Sequence, residues 1–127
     1  MSCCDGCTVY LRNESSVPLN VSSYDATNGS IRGLSDGTGI SPNGGNISFT
    51  VYSGGGTQGK ATGTVTLEDS NHDPITLNFS FLPNGATGGC PCTPGGGTGQ
   101  TSGYDVAISD TVGNSDGSAV LKFTVSN

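Results

Sequence analysis

Apolar residues in this chain recur at every second position, and that spacing leaves little choice of fold. Val9 and Leu11 share one face of an extended segment, as do Leu19 and Val21. Ile47, Phe49 and Val51 alternate in the same way, then Ala61, Gly63, Val65 and Leu67, then Ile75, Leu77, Phe79 and Phe81. Tyr104, Val106 and Ile108 follow, and Ala119, Leu121, Phe123 and Val125 close the series. Side chains of an extended strand point to alternate faces, so each run presents one apolar edge and one polar edge. Turn-forming clusters separate the runs: Asn13-Glu14-Ser15-Ser16, Ser41-Pro42-Asn43-Gly44-Gly45 and Asp69-Ser70-Asn71-His72-Asp73-Pro74. Helical spacing is absent throughout. About seven to nine strands, each with one apolar face, can bury those faces only by packing sheet on sheet. The expected fold is all-β: a two-sheet antiparallel β-sandwich with no substantial helix.

Composition agrees with short strands and many turns. The chain has 127 residues, enough for one domain, and 22 of them are glycine. Gly, Ser, Thr and Asn are poor helix-interior residues but good turn residues. Charged residues are only 11% of the chain, which argues against a solvated, disordered polymer. Ten acids face four bases, Arg12, Arg32, Lys60 and Lys122, for a net charge of −6. Those bases are scattered along the sequence, so a nucleic-acid partner is not expected. The first residues, Met1-Ser2-Cys3-Cys4-Asp5-Gly6, lack the basic and apolar regions of a signal peptide. The expectation is synthesis in the cytoplasm without a signal peptide, with a final place on a cell or spore surface or outside the cell. Five Asn-x-Ser triplets, at Asn13, Asn20, Asn28, Asn46 and Asn78, then read as strand and turn composition rather than glycan sites.

Three stretches depart from the alternation. Residues 1–7 form a cysteine-rich arm ahead of a sandwich domain over 8–127. Residues 22–46 are weakly patterned, with Ile31, Leu34 and Ile40 as isolated anchors, and are expected to wrap an edge of the sandwich. Residues 83–103 read PNGATGGCPCTPGGGTGQTSG, a long loop with Cys90 and Cys92 around Pro91.

The cysteines are the sharpest chemical feature. Cys3, Cys4, Cys7, Cys90 and Cys92 all fall outside the apolar strand positions. Their number is odd, so internal disulfides leave at least one thiol over. Adjacent Cys3 and Cys4 cannot bond each other without strain and so point to separate partners. All five are candidates for disulfides between subunits. Disulfides within one chain and free thiols are the alternatives. A further one is a thiolate zinc site from Cys4-x-x-Cys7 with Cys90 and Cys92, for which Cys-Pro-Cys is shorter than the usual two-residue knuckle.

Other sites carry less. Asp69-x-Asn71-x-Asp73 begins like a calcium loop, but Pro74 stands where Gly is needed and Ser80 where the bidentate Glu is needed. A solvated hairpin turn is the expected reading. His72 is the only histidine and lies in that polar turn without an obvious Ser or Cys nucleophile beside it. Gly54-Gly55-Gly56 and Gly95-Gly96-Gly97 lack the Lys-Ser/Thr of a phosphate loop. No catalytic residue, metal, cofactor or small-molecule substrate is assigned, and the chain is not expected to be an enzyme.

The segment SPNGGNISFTVYSGGGTQGKATGTVTLEDSNHDPITLNFSFLPNGATGG resembles the central stretch of the aegerolysins. GYDVAISDTVGNSDGSAVLKFTVSN is similar to that family's closing hairpin and VYLRNESSVPLNVSS to its opening one, so the likeness runs over residues 8–127. It implies an aegerolysin-like or jelly-roll-like sandwich that binds membrane sphingolipids, in some cases as one component of a two-component pore-forming or insecticidal toxin. The family is rich in Trp and this chain has none; Ser80-Phe81-Leu82-Pro83-Asn84 stands in place of a Trp-containing motif. The arm, in turn, is similar to the cysteine-rich connectors of bacterial spore-appendage subunits. The leading expectation is therefore a structural subunit that self-assembles into a fibre or other homopolymer through its arm and inter-subunit disulfides. Membrane sphingolipid binding is the alternative.

Overall fold

The alternating runs form strands where burial requires them. A computed structural model describes residues 7–27, 29–53, 61–83, 92–101, 103–111 and 120–127. Among these the strands are β1 (Cys7–Asn13), β2 (Leu19–Thr27), β3 (Gly29–Arg32), β4 (Gly39–Ile40) and β5 (Gly45–Ser53), then β6 (Ala61–Glu68), β7 (Pro74–Pro83), β8 (Cys92–Gln100), β9 (Asp105–Thr111) and β10 (Val120–Ser126). Sheet A has the order β3-β5-β1-β10-β9 and sheet B the order β4-β2-β6-β7-β8. The described residues contain no helix. The architecture is the expected all-β sandwich, with ten strands where about seven to nine were expected.

The core lies between the sheets. Val9, Leu11, Phe49, Val51, Leu121 and Phe123 of sheet A are buried against Leu19, Val21, Val65, Leu67, Ile75 and Leu77 of sheet B. Phe49 and Phe79 bridge the gap, their ring centroids 5.9 Å apart and tilted by 56°. One pairing departs from the antiparallel expectation. β1 and β10 run parallel, with Val9 opposite Leu121 and Leu11 opposite Phe123. A hairpin cannot join parallel neighbours. Here nearly the whole chain separates them, so the first and last strands lie side by side in the middle of sheet A.

The segment 22–46 does wrap the edges. β3 is an edge of sheet A and β4 an edge of sheet B, while Leu34 and Ile40 reach the core. The segment 83–103, read as one long loop, contains β8 over Cys92–Gln100. Its pattern is hidden because its inward residues are glycines. A Cβ on Gly97 would lie 2.8 Å from Phe123 Cζ, and one on Gly99 2.7 Å from Val106 Cβ. Sheet A side chains occupy the space that β8 leaves empty.

Asn13 ties the end of β1 to its surroundings. It is fully buried, although the sequence places it in a polar turn. Its Nδ2 donates to the carbonyls of Val17 (2.8 Å) and Ile40 (3.1 Å). Its Oδ1 accepts from the Ser15 amide (3.0 Å) and the Ser15 hydroxyl (2.5 Å). A short alanine side chain leaves these buried groups unpaired. Asn13→Ala is expected to cost about 3 kcal/mol. The measurement is urea unfolding: the midpoint falls while the slope m holds. An unchanged midpoint would mean that this network contributes nothing to stability.

Candidate functional site

Burial of one strand face dictates the composition of the other. In β6 and β7 the inward residues Val65, Leu67, Ile75, Leu77 and Phe79 leave Thr62, Thr64, Thr66, Thr76, Asn78 and Ser80 facing outward. β8 adds Gly96, Thr98 and Gln100 in register with β7. β2 adds Ser23, Asp25 and Thr27 in register with β6. The result is three cross-strand rows on the outer face of sheet B: Ser23–Thr66–Thr76–Gln100, Asp25–Thr64–Asn78–Thr98 and Thr27–Thr62–Ser80–Gly96.

Asp25 reaches this face because of a bulge. The β2–β6 register shifts between Val21 and Ser23, leaving Ser22 as an extra residue whose Oγ donates to the Thr66 carbonyl at 3.0 Å. An uninterrupted strand with Val21 inward would turn Ser23 and Asp25 inward as well. A second shift, between Ser80 and Phe81, leaves Gly95 unpaired in β8. Bulges bend and twist the strands that carry them. The two here lie on the strands flanking β6 and β7, and the outer face between them is concave, with a groove of about 570 Å³.

The middle row is internally linked. Thr64 Oγ1 donates to Asn78 Oδ1 at 2.8 Å, and Asn78 Nδ2 donates to Thr98 Oγ1 at 3.4 Å. Asp25 Oδ1 accepts its neighbour's amide, from Ala26, at 2.9 Å, and the side chain is exposed. Asp25 is the only ionisable residue among the described lining residues, and none of them is basic. Gly96 (φ 116°) ends the third row with bare backbone.

The opposite face carries cations. On the outside of sheet A, Lys122 Nζ sits 5.4 Å from the Tyr10 ring centroid. Arg12 lies two residues along the same strand and pairs with Glu14, and Arg32 lies on β3 opposite Thr50. Three of the four bases scattered in sequence, Arg12, Arg32 and Lys122, are thus on one sheet, and Lys60 lies outside the described residues.

The cysteines divide differently. Cys7 opens β1 opposite Val51, and Cys92 opens β8 opposite Pro83. Both belong to one end of the sandwich. Ser53, two residues beyond Val51, pairs with Gly29 across that end of sheet A. Thr27 pairs with Thr62 where sheet B begins β6, and the neighbouring Ala61 pairs with Phe81. Cys3, Cys4 and Cys90 lie outside the described residues. The zinc arrangement, which needs Cys4 and Cys90, lies outside the described residues, and the described residues hold no cluster of three metal-ligating side chains.

The turn 69–74 is not simply solvated, as the sequence suggested. Asp69 is buried. Its Oδ1 accepts the amides of Asn71 (2.8 Å) and Asp73 (3.0 Å), and its Oδ2 accepts the Tyr104 hydroxyl at 2.7 Å. Both oxygens are engaged by protein donors, which gives the carboxylate a structural role in the turn. His72 (φ 62°) points to solvent and pairs with Glu68 at 3.1 Å. The Tyr104 hydroxyl holds the Asp69 carboxyl below its ordinary pKa, helped by the Asp73 and Asn71 amides and by His72 and opposed by desolvation. In return the carboxylate, with burial, pushes Tyr104 up to about 12.

Sequence reading missed Asp25, Thr64, Asn78 and Thr98. The signal lies in the polar half of the alternation, Thr-x-Thr-x-Thr at 62–66 and Thr-x-Asn-x-Ser at 76–80. No protein-family profile matches this chain, and no curated protein sequence matches it significantly. Solved structures do. The chain is similar to IP-1A from Alcaligenes faecalis, with a TM-score of 0.59 at 10% identity, over 99% of this chain and 93% of that one. It is similar also to the lipid-binding protein Nakanori, with a TM-score of 0.56 at 10% identity, over 97% of this chain and 71% of that one. At such identity the likeness establishes a shared fold.

The Asp69–Tyr104 bond has a pH signature of defined sign. The lowered Asp69 pKa stabilises the fold above the ordinary carboxylate range, and this is lost as pH falls through the depressed value. The raised Tyr104 pKa stabilises it below pH 10.0, and this is lost as pH rises from there to about 12. Thermal melts should show Tyr104→Phe less stable than the parent at neutral pH. The variant should also lose less stability than the parent across the alkaline window. Parallel alkaline losses in the two proteins would contradict the assignment.

Proposed function

We propose that this chain is a non-enzymatic recognition module that takes the polar headgroup of a membrane lipid into the outer groove of sheet B. The observation that carries this is the pair of polar rows, Asp25–Thr64–Asn78–Thr98 and Thr27–Thr62–Ser80–Gly96, that lines a concave face. A sheet surface that only needs to be wet has no reason to be hollowed by two bulges. Catalysis has no support there: the described lining offers one carboxylate, with no second acid or base and no activated nucleophile. The fold shared with a lipid-binding protein supports the choice of lipid. The resemblance to aegerolysins suggests sphingolipids within that class, and a role beside a larger pore-forming or insecticidal partner.

A second reading rests on a separate observation. Cys7 and Cys92 start strands at the same end of the sandwich. Disulfides among Cys3, Cys4, Cys7, Cys90 and Cys92 would then join copies at that end, and the arm would have to reach a neighbour's far end for the series to continue into a homopolymer displayed outside the cell. The groove lies on a face of the sandwich, so assembly and lipid binding are compatible.

Liposome co-sedimentation tests the first reading. The parent should pellet with sphingolipid vesicles, and Asn78→Leu, which breaks the middle row, should weaken binding about tenfold, near 1.4 kcal/mol. Equal pelleting by parent and variant would remove the groove from the account. A non-reducing gel tests the second. A ladder that collapses on adding reductant is expected, and a monomer band without reductant would sink it.

A further inference from the structure

We infer that the group held in the groove is an uncharged hexosyl unit, recognised through its hydroxyls. The inference rests on the reading of the groove as a binding site and names the chemistry of its ligand.

Electrostatics narrows the class first. The chain carries a net charge of −6, and the only ionisable group among the described lining residues is the Asp25 carboxylate. A phosphate or sulfate would meet a like charge there, with no described cation to offset it. A quaternary ammonium group is ordinarily held by aromatic faces. Phe79 is the one aromatic residue among the described lining residues, and its ring is buried in the core against Phe49; the two rows that line the groove are built from Thr, Ser, Asn, Asp and Gly.

Hydrogen-bond inventory narrows it further. Each Thr and Ser hydroxyl offers one donor and two acceptor lone pairs, and Asn78 offers two donors and an acceptor. Internal bonds consume only part of this. Thr64 spends its proton on Asn78, and one amide proton of Asn78 goes to Thr98, while the Thr98 hydroxyl proton has no described acceptor. Such a surface needs a ligand whose own groups both donate and accept at close spacing, as adjacent sugar hydroxyls do. The Asp25 carboxylate accepts only, and two vicinal hydroxyls donating to it form charge-assisted bonds of the stronger kind.

Dimensions agree. Three interstrand gaps separate Asp25 from Thr98, so the middle row spans roughly 14 Å, and the next row lies roughly 7 Å along the strands. That footprint suits one or two pyranose rings lying flat. Gly96 leaves the β8 end of the third row without a side chain, and a ring can rest on the backbone there.

The test compares phosphatidylcholine vesicles doped with glucosylceramide or galactosylceramide, with sphingomyelin, or with phosphatidylserine. Titration with soluble lactose is run beside them. Pelleting with either hexosylceramide at lipid concentrations at least tenfold below those for sphingomyelin or phosphatidylserine is expected. Asp25→Asn, isosteric and on an exposed side chain, should raise that concentration about tenfold. Lactose binding as tight as glycolipid binding would identify a free glycan as the source. Glycolipid binding without lactose binding would identify a lipid headgroup. Either supports the hexosyl chemistry. Preference for sphingomyelin would overturn this inference and leave the lipid-headgroup reading standing. Binding to no vesicle and no sugar would overturn both.

Discussion

Val65 and Leu67 in β6, and Ile75, Leu77 and Phe79 in β7, are taken out of water against the facing sheet. That burial fixes the strand register, because a slip of one residue would turn every apolar side chain outward. It also fixes what the outer face displays. Thr62, Thr64, Asn78 and Ser80 are placed by the same register as the core, although none of them contributes to it. A polar site built this way needs no loops for positioning. Only the flanking strands must be adjusted, and each is adjusted by a single extra residue, Ser22 in β2 and Gly95 in β8.

This explains why the fold was legible in the sequence and the site was not. Val9, Leu11, Phe49, Val51, Leu121 and Phe123 announce their strands by strict alternation. β8 does not, because Gly97 and Gly99 hold its inward positions and Phe123 and Val106 fill the space beside them. The bulge at Ser22 breaks the period of β2, so that Ser23–Thr27 reads as irregular. The same break carries Asp25 to the surface. The polar partners in β6 and β7 were visible in the alternation but read as solvated strand faces, since hydroxyl-bearing residues alone do not reveal concavity. Asp69 misled in the opposite sense. Its spacing suggests a solvated turn or a calcium loop, and its distant partner Tyr104 can be identified only in three dimensions.

The molecule presents three chemically distinct regions. Sheet B offers a hydroxyl-lined groove with one carboxylate. Sheet A offers Arg12, Arg32 and Lys122 on its outer side, with Tyr10 under the lysine. One end carries the starts of β1 and β8 with Cys7 and Cys92. In a chain of net charge −6, the three described cations lie on sheet A, and the described outward residues of sheet B include none. That separation favours a neutral, hydroxylated ligand over an anionic one on sheet B.

The central claim is that the outer face of sheet B is the recognition surface. Amide shifts of the 15N-labelled chain, followed during titration with a soluble methyl hexoside, test it most directly. The account predicts saturable shifts concentrated at Asp25, Thr64, Asn78 and Thr98. Shifts centred on Tyr10, Arg12 and Lys122, or none at saturating sugar, would contradict it.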